Sequence, residues 1–480
     1  MQESVDYITS RILQKITPTP ADRAKKENIA HELEVKVSAI CAELGVEAVV
    51  RVEGSLAKDT WLREDPDIDV FMQLSPSIPR KSLGELALKI ARKATEGSKQ
   101  VERFAEHPYL EAFVNGVRVN IVPCYSSKPG EWLSATDRTP YHTDYVNSHL
   151  GKALRGDVRL LKRFMKGIGV YGAEIKVGGF SGYLCELLVL HYGSFVKVLE
   201  ALAQHKPRRM VDIVNYYKDR QRDLELFFAE PLVVVDPVDK ARNVASAVQP
   251  QKLHIFAAAS QAFLKEPTEE FFYPLKTHPL SIEELQETLA NRGSSLVFLA
   301  FGKLEAVPDV LWGQLHRTRK ALSKQFELAD FKVLRDATWS EDNADITVLV
   351  FEVEQKVLSS VKRHLGPPLE FRKECESFLS KYSANAEVLA GPFIDVGRWV
   401  VEVRRKFTDA AEYMKEKVLS GGRNAGVAEL IAKELPKSGQ VLVGDEVRMH
   451  YTYNEEFAVF LTDFLSGKPF WLETKCNSLS

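Results

Sequence analysis

Two aspartates one residue apart, Asp67 and Asp69, are the first candidates for chemistry in this sequence. They stand at the start of a predicted strand, residues 67–74, and alternate side chains of a strand project on the same side. Two carboxylates so close together need a cation, and paired carboxylates can hold metal ions a few ångströms apart. The pair therefore predicts a divalent-metal site, although a D-x-D pattern alone is more often two ordinary aspartates on a solvated strand face.

A glycine-serine turn, Gly54-Ser55, precedes this strand and strengthens the metal hypothesis. It follows a β-branched run over residues 46–52, so it lies where a strand passes into a short helical stretch. The backbone N–H groups and the hydroxyl at such a turn can bind a phosphate. Metal and phosphate together are the chemistry of nucleotidyl transfer.

Lys162 and Lys166 form a second candidate group, together with Tyr171. The apolar and basic residues of segment 157–170 recur with a helical period, which puts the two lysines one turn apart on the same face. A lysine ammonium is a natural partner of a triphosphate. The solvated face of an amphipathic helix explains the same pattern at least as well.

Three basic clusters, at residues 206–209, 316–320 and 404–406, are candidate contacts for a phosphate backbone. The chain has 64 Lys and Arg residues against 66 Asp and Glu, a net charge of −2, so a nucleic-acid partner must be held locally. Solvated surface is the default interpretation of each cluster. Their spread over three segments would nevertheless suit a long, folded RNA.

The composition is that of a globular chain of several domains. The 480 residues are 45% hydrophobic, and this length corresponds to about three domains of roughly 150 residues. The five cysteines are scattered and lack a C-x-x-C pair, which argues against a disulfide framework and a structural zinc site. The first residues resemble no signal peptide and no apolar run has membrane-spanning length, so we expect a cytoplasmic protein without a membrane partner.

The elements that must position these residues indicate a multidomain α+β fold. Asn115-Gly116 lies between two apolar runs and is a strong hairpin signal, so the N-terminal third is predicted to mix helices and strands. The middle third is predicted to be helical, with one apolar helix over residues 181–202 and a loop-to-helix passage over residues 236–245. Further on, a strand-helix-strand-strand order up to residue 353, with a helix to residue 365, suits a ferredoxin-like sheet.

A series of short stretches, taken together and in order, makes the chain similar to a known family. It resembles the archaeal, class I CCA-adding enzymes, which are tRNA nucleotidyltransferases of the DNA polymerase β superfamily, over nearly its whole length. The matching stretches are EGSLAKDTWL (53–62), DIDVF (67–71), AEHPY (105–109), VPCY (122–125), DRTPYH (137–142), VRLLKRFMK with VYGAE (158–174), GFSGYLCELL (179–188), VVDPVDKARNVA (234–245), GRW (397–399) and RKF (405–407). Each is weak alone, but their order and spacing are specific.

The resemblance implies an enzyme of three parts. These are a polymerase β-like nucleotidyltransferase domain (1–147), a helical central domain that binds nucleotide (148–264), and a C-terminal α+β tRNA-binding body and tail (265–480) with a ferredoxin-like segment at about 292–366. The implied activity is template-independent addition of C, C and A to the 3′ end of tRNA from CTP and ATP. Two Mg²⁺ ions would assist and pyrophosphate would leave. The expected partners are the acceptor arm and 3′ end of tRNA and a second copy of the chain in a homodimer.

The resemblance also assigns roles to individual residues at matching positions. Asp67 and Asp69 would be the catalytic metal ligands, and Arg242 would face the base of the incoming nucleotide. The triphosphate and the ribose would be bound by Gly54, Ser55, Lys58, His142, Lys162 and Tyr171. The family usually has arginine at the position of Lys58, so this chain replaces a forked phosphate contact by a point charge.

One position departs from the family pattern. The third catalytic carboxylate of the family lies in the strand before V-P-C-Y, where this chain has Asn120. Asparagine keeps a metal-ligating oxygen but loses the charge and cannot act as a base. An altered metal site that still works, an inactivating substitution by an experimenter and a natural loss of catalysis all explain it. A two-residue hairpin turn would place Glu111 opposite Asn120, which makes Glu111 an additional candidate metal ligand, against the simpler view of a solvated hairpin residue.

Two other functions stay open on the sequence alone. A poly(A)- or oligoadenylate-type polymerase shares the Gly-Ser, D-x-D and helical-domain features, although the GRW and RKF stretches disfavour it. A catalytically impaired tRNA-binding protein is compatible with Asn120.

Overall fold

The computed structural model describes residues 4–65, 67–104, 106–204 and 206–475. The chain separates into two compact units: the first comprises the residues up to Leu275 together with the segment from Pro469, and the second comprises Lys276–Lys468. The predicted boundary between the first two domains, at 147/148, lies within the first unit.

The first unit contains helices and strands in mixed order. Its helices are α1 (Val5–Ile16), α2 (Pro20–Glu43), α3 (Gly54–Ala57), α4 (Arg80–Ala94), α5 (Thr139–His149), α6 (Leu154–Gly167), α7 (Gly182–Tyr192), α8 (Phe195–Ala203), α9 (Gln221–Phe227) and α10 (Pro250–Lys265). Its strands are β1 (Ala48–Glu53), β2 (Ile68–Leu74), β3 (Lys99–Phe104), β4 (Pro108–Val114), β5 (Val117–Tyr125), β6 (Arg209–Val211), β7 (Leu232–Asp236) and β8 (Asp239–Asn243). Short 3₁₀ turns lie at Ala135–Arg138, Glu269–Phe271 and Phe470–Lys475.

The sheet that carries the predicted aspartates has five strands in the order β1-β2-β5-β4-β3, with β2 and β5 parallel and the other neighbours antiparallel. Ile68, Val70, Met72 and Leu74 of β2 are fully buried in the core formed with α2 and α4, so the alternation leaves Asp69 on the opposite side. A slip of register by one residue would put this carboxylate into the apolar core. The apolar alternation of β2 therefore determines which side of the sheet carries the site.

The predicted hairpin at Asn115-Gly116 is confirmed. Both residues are in the left-handed region, with φ of 51° and 76°, as a type I′ turn requires. The register of β4 and β5 places Glu111 directly opposite Asn120. The two side chains therefore project from the same side of the sheet.

The prediction of one helix over residues 181–202 is wrong, because two helices occupy this segment. Gly193 ends α7 with a φ of 88°, and the hydroxyl of Ser194 begins α8 by accepting the N–H of Lys197. The apolar pattern continues through both helices, which hides the break from a periodicity argument. Within the described ranges no single helix is long and apolar enough to cross a membrane. The α7–α8 pair, bent by 91°, would be long and apolar enough only if the two helices were counted together.

The prediction of a loop-to-helix passage over residues 236–245 is also wrong. This segment forms a hairpin of β7 and β8, and β7 pairs in parallel with β6 on its other side. The buried side chain of Asn243 accepts the N–H groups of Val234 and Ala245 and donates to the carbonyl of Leu232. The side chain of Asn243 thus binds backbone N–H and C=O groups that would bond to each other in a helix, and it stabilises the hairpin instead.

The second unit contains the remaining elements. Its helices are α11 (Ile282–Asn291), α12 (Pro308–Leu328), α13 (Arg372–Tyr382), α14 (Ala410–Val418), α15 (Glu429–Ser438), α16 (Arg448–Tyr453) and α17 (Glu455–Ser466). Its strands are β9 (Ser295–Gly302), β10 (Val333–Trp339), β11 (Ile346–Val353), β12 (Val361–Pro368), β13 (Val388–Asp395), β14 (Arg398–Arg404) and β15 (Gln440–Val443). Two 3₁₀ turns lie at Arg423–Ala425 and Gly444–Val447.

The predicted strand-helix-strand-strand order is confirmed as β9, α12, β10 and β11, in an antiparallel sheet of order β10-β11-β9-β15. The fourth strand comes from beyond the predicted segment 292–366. The helix predicted up to residue 365 is wrong, because β12 forms a second sheet of order β12-β14-β13. Val361 and Leu365 have helical spacing, but Gly366, Pro367 and Pro368 cannot continue a helix and suit an edge strand.

The described cysteines, Cys41, Cys124, Cys185 and Cys375, are buried free thiols. Burial raises the pKa of Cys185 to about 12 and also raises the pKa of Cys124. Cys124 and Cys185 are therefore uncharged at neutral pH. Cys476 lies outside the described residues.

Candidate active site

Most of the predicted site residues lie around one pocket of the first unit, about 560 Å³ in volume. Those that line it are Gly54, Ser55, Lys58, Asp67, Asp69, Lys162 and Tyr171. Lys166 lines it as well, whereas Asn120, Glu111, His142 and Arg242 are not among its lining residues. Segments that are far apart in the sequence thus contribute to a single site.

Gly54 approaches Asp69 more closely than any other residue type would allow. Its φ is 70°, and a Cβ atom built on it would lie 2.2 Å from Oδ2 of Asp69. Burial raises the pKa of Asp69, a hydrogen bond from Asn120 opposes this effect, and the negative charge of Asp67 raises the pKa again. A cation at this edge would relieve the repulsion between the two carboxylates.

Arg118 is a site residue that the sequence reasoning missed. Its Nε donates to Oδ1 of Asp67 over 2.6 Å, and its Nη2 donates to Oδ2 of the same carboxylate. We call Asp67, Asp69 and Arg118 the carboxylate cluster. The sequence V-R-V-N could have indicated this role, because strand alternation puts Arg118 on the same side of β5 as Asn120.

Asn120 contacts the carboxylate cluster as a hydrogen-bond donor. Its Nδ2 donates to Oδ1 of Asp69 over 3.0 Å, a bond that an ionised aspartate could not make. Asp69 and Asn120 are direct neighbours in the parallel pairing of β2 with β5. The chain therefore has an amide where the family pattern has its third carboxylate.

The residues at this edge fit a hard divalent cation. Carboxylate and amide oxygens are the ligands that Mg²⁺ and similar ions prefer, and Asp67, Asp69 and Asn120 supply them. Within the described part of the chain no group of three or more His, Cys, Asp and Glu side chains is arranged to hold a metal ion. Because Asn120 is uncharged, Asp67, Asp69 and Asn120 together carry less negative charge than three carboxylates would.

Two lysines that line the pocket form ion pairs with one buried glutamate. We call Lys58, Lys162 and Glu186 the lysine cluster. Lys58 Nζ lies 2.6 Å from Oε2 of Glu186, and Lys162 Nζ lies 3.3 Å from Oε1. Thr60 donates its hydroxyl to the same Oε1 over 2.5 Å. The side chains of the cluster are at most 7% exposed.

The charges of the lysine cluster depend on one another. Burial lowers the pKa of Lys162, and the carboxylate of Glu186 counteracts that effect. Burial raises the pKa of Glu186, but the two lysines outweigh it, so that its pKa is lowered overall. Glu186 was not predicted, although a single acid in the apolar stretch GYLCELLVLHY was a signal for it.

Tyr171 and Lys166 lie next to each other in the pocket. Lys166 forms an ion pair with Asp65, and its Nζ is 5.3 Å from the ring centre of Tyr171. A Cβ atom at Gly182 would lie 3.0 Å from the hydroxyl oxygen of Tyr171, so this glycine leaves room for the ring. Ser55 is part of α3 and faces the same pocket.

His142 and Arg242 are held together by a buried carboxylate, Asp236. Nε2 of His142 lies 2.9 Å from Oδ2 of Asp236, and Nη1 of Arg242 donates to the same oxygen over 2.7 Å. The ring of His142 stacks on Tyr183, which lines the pocket, at 4.0 Å between ring centres. Both residues therefore lie beside the pocket, and Asp236 is their common partner.

Glu111 has a partner of its own. Its register opposite Asn120 is confirmed, but its Oε1 accepts a hydrogen bond from Nη2 of Arg103 over 3.0 Å. The residue is 7% exposed, so it is not a solvated hairpin side chain. A role for Glu111 as a metal ligand would have to coexist with this contact, in which Arg103 binds one of its two carboxylate oxygens.

Three family models match successive parts of the chain. The nucleotidyltransferase domain matches residues 35–142, the second domain of tRNA nucleotidyltransferase matches residues 156–273, and the C-terminal domain of CCA-adding enzyme matches residues 292–444. The pocket residues fall within the first two of these matches.

Curated relatives match over almost the whole length. The chain is 36% identical to the CCA-adding enzyme of Methanosarcina mazei, over 94% of this chain and 96% of that protein. It is 34% identical to the CCA-adding enzyme of Haloarcula marismortui, over 98% of this chain and 100% of that protein. Among solved structures, that of E. coli MS115-1 CdnC with ATP is similar at a TM-score of 0.42 and 19% identity, over 55% of this chain and 94% of that one.

Proposed function

The chain belongs to the CCA-adding enzyme family, and from that premise we propose that it adds C, C and A in turn to the 3′ end of tRNA without a template. CTP and ATP are the donors, and pyrophosphate is the product that leaves. The observation that carries the proposal is the pocket in which a D-x-D pair and two buried lysines lie together.

We propose that Asp67 and Asp69 hold the divalent metal, Mg²⁺ in a two-ion arrangement, with the amide oxygen of Asn120 as a neutral third ligand. A metal held by these residues would lower the pKa of the attacking 3′-hydroxyl and neutralise charge on the leaving pyrophosphate. Gly54 keeps Asp69 accessible, because any side chain at that position would collide with its Oδ2. Asn120 takes no proton in this scheme, since an amide is not a base.

The triphosphate of the incoming nucleotide is proposed to lie against Ser55, Lys58, Lys162 and Tyr171. The two ammonium groups offset the negative charge of the β- and γ-phosphates, and Glu186 keeps both lysines in fixed positions. With the phosphates fixed, the 3′-hydroxyl of the RNA attacks the α-phosphorus in line with the leaving pyrophosphate.

Nucleotide choice is proposed to depend on Arg242. Cytosine and adenine both carry an exocyclic amino group that uracil lacks. Arg242 is 37% exposed, and one of its nitrogens is paired with Asp236. Its other N–H groups can hold RNA phosphates, and those phosphates can accept a hydrogen bond from the exocyclic amino group of the base. His142, anchored by the same Asp236, is proposed to contact the ribose.

We propose that the acceptor arm of tRNA binds the basic surface of the second unit. Arg317 and Lys320 are exposed on α12, within the basic cluster at residues 316–320. We propose that the protein is a homodimer in the cytoplasm. Sedimentation of the pure protein would test the dimer by measuring its mass.

The function is tested by supplying tRNA that lacks its 3′ C-C-A end with one labelled nucleotide at a time. The proposal predicts incorporation of two C residues from CTP alone, and of A only after both C residues are present. Long A tracts would indicate a poly(A)-type polymerase. Binding of tRNA without any incorporation would indicate an impaired enzyme in which Asn120 has removed catalysis.

A further inference from the structure

Arg118 binds both oxygens of a carboxylate that is assigned to the metal. Nε and Nη2 of the guanidinium donate to Oδ1 and Oδ2 of Asp67, one N–H group to each oxygen. The guanidinium of an arginine is charged at every relevant pH. Forked pairs of this kind are stronger and more specific in geometry than a single contact.

The charge at this edge is small for a site that takes divalent ions. Asp67 and Asp69 contribute two negative charges and Arg118 contributes one positive charge, which leaves one negative charge in the carboxylate cluster. Asn120 adds an oxygen but no charge. An entering cation therefore meets a weaker attraction than two free carboxylates would exert.

We propose that Arg118 competes with the divalent cation for Asp67 and thereby sets the metal affinity of the active site. Competition follows from the geometry, because both oxygens of Asp67 already accept an N–H group of Arg118, so a metal ion bound to either oxygen would lie against the positive charge of the guanidinium. The inference deepens the proposed function, since it rests on the assignment of Asp67 as a metal ligand. Arg118 is in this sense a positioning residue and touches no reacting atom.

The exposure of the pair allows the exchange. The side chain of Arg118 is 42% exposed and that of Asp67 is 31% exposed, and both line the pocket. Water screens an ion pair that is this open, which lowers the cost of exchanging the arginine for a metal ion.

The test is a titration of the full-length protein with Mn²⁺ in the absence of nucleotide and RNA, in which the signal of free Mn²⁺ is followed by electron paramagnetic resonance. Arg118→Gln keeps the length of the side chain and removes the charge, and we expect it to tighten Mn²⁺ binding about fivefold. Arg118→Lys keeps the charge but loses the fork, and we expect an intermediate affinity.

The matched control is Arg92→Gln. Arg92 is 48% exposed and pairs with Glu102, so this variant makes the same change of net charge with the loss of a similar ion pair outside the pocket. We expect its Mn²⁺ affinity to stay within about twofold of the parent. An equal gain from Arg92→Gln and Arg118→Gln would overturn the proposal, because it would show a general effect of net charge.

Asp67→Asn separates this proposal from the proposed function. If Asp67→Asn loses tight Mn²⁺ binding while Arg118→Gln and Arg118→Lys leave it unchanged or weaken it, the competition is refuted and the metal site stands. If Asp67→Asn binds Mn²⁺ as the parent does, the metal assignment itself is wrong. Should Arg118→Gln fail to fold, the comparison of Arg118→Lys with the parent decides the question, because the net charge is unchanged: tighter Mn²⁺ binding would support the competition, and equal or weaker binding would refute it.

Discussion

The carboxylate cluster and the lysine cluster have opposite compositions within one pocket. The first has two carboxylates and one guanidinium, and the second has two ammonium groups and one carboxylate. Arg118 and Asp67 are 42% and 31% exposed, whereas Glu186 is fully buried and Lys162 is 3% exposed. The two clusters therefore differ in burial as well as in the sign of their excess charge.

Burial decides which of the two clusters can change partners. Removing one member of a buried ion pair costs about 3–5 kcal/mol, because the other charge stays without compensation in a poorly polar environment. A pair that is open to water is worth about 1 kcal/mol or less. We therefore propose that the lysine cluster is a fixed support for the triphosphate and that the carboxylate cluster can exchange an arginine for a metal ion.

The largest effect is expected from Asp69→Ala or Asp67→Ala. Each should lower the rates of C and A addition by about a thousandfold or more, because the metal loses a charged ligand. Affinity for tRNA should remain nearly intact, since phosphate contacts elsewhere supply most of the binding. Single-turnover rates and a filter-binding assay measure the two quantities, with Asp342→Ala in the second unit as the control. Near-normal turnover in either variant would show that the cluster holds no catalytic metal.

Glu186→Gln tests whether the lysine cluster is the rigid partner. The substitution leaves two buried ammonium groups without a counter-charge, so we expect the free energy of unfolding to fall by about 3 kcal/mol. Urea unfolding measures this loss. Glu102→Gln is the control, because its pair with Arg92 is exposed and should change stability by less than about 1 kcal/mol. Equal losses in the two variants would remove the distinction between the clusters.

Arg242→Ala tests whether the choice of nucleotide depends on a residue that belongs to neither cluster. We expect the preference for CTP and ATP over UTP to fall about tenfold, while tRNA binding changes little. The measurement is kcat/KM for each nucleotide. Lys240→Ala on the same hairpin serves as the control, since Lys240 contacts Tyr217 only through its backbone carbonyl. An unchanged preference would remove Arg242 from the site.

Asn120→Asp is the mildest of these changes and sharpens the account of the carboxylate cluster. It restores the charge that the family pattern has, and we expect turnover to rise by about tenfold or less. Steady-state rates at saturating Mg²⁺ would show the gain. A loss of activity would mean that this site requires the amide, which donates to Asp69.

The same background tests Glu111. If Glu111 supplies the missing charge, Glu111→Gln will cripple the parent and will be tolerated beside Asn120→Asp, a non-additivity expected of residues that share one role. Because Glu111 is paired with Arg103, we expect small and equal losses in both backgrounds. The four rates needed come from one set of single-turnover measurements.

Local patterns predicted the parts of this site that depend on local geometry. The alternation of β2 placed Asp69 on the open side, and Asn115-Gly116 predicted the register that brings Glu111 opposite Asn120. The break at Gly193 had a recognisable signal too, but the apolar period that runs through α7 and α8 masked it.

Contacts between distant segments were beyond a reading of the sequence. Lys58, Lys162 and Glu186 come from three separate segments, and only tertiary packing brings their side chains within hydrogen-bond distance. Asp236 is similar, because its partners His142 and Arg242 flank it from α5 and β8. In both cases the predicted residues were basic or aromatic, and the acid that fixes them was missed.

The most direct test of the central claim is a crystal structure of the protein with CTP and Mn²⁺, in which anomalous scattering locates the metal. We expect Mn²⁺ bound to the carboxylates of Asp67 and Asp69, with the triphosphate against Lys58 and Lys162. Mn²⁺ and triphosphate bound together at any other place in the molecule would contradict it.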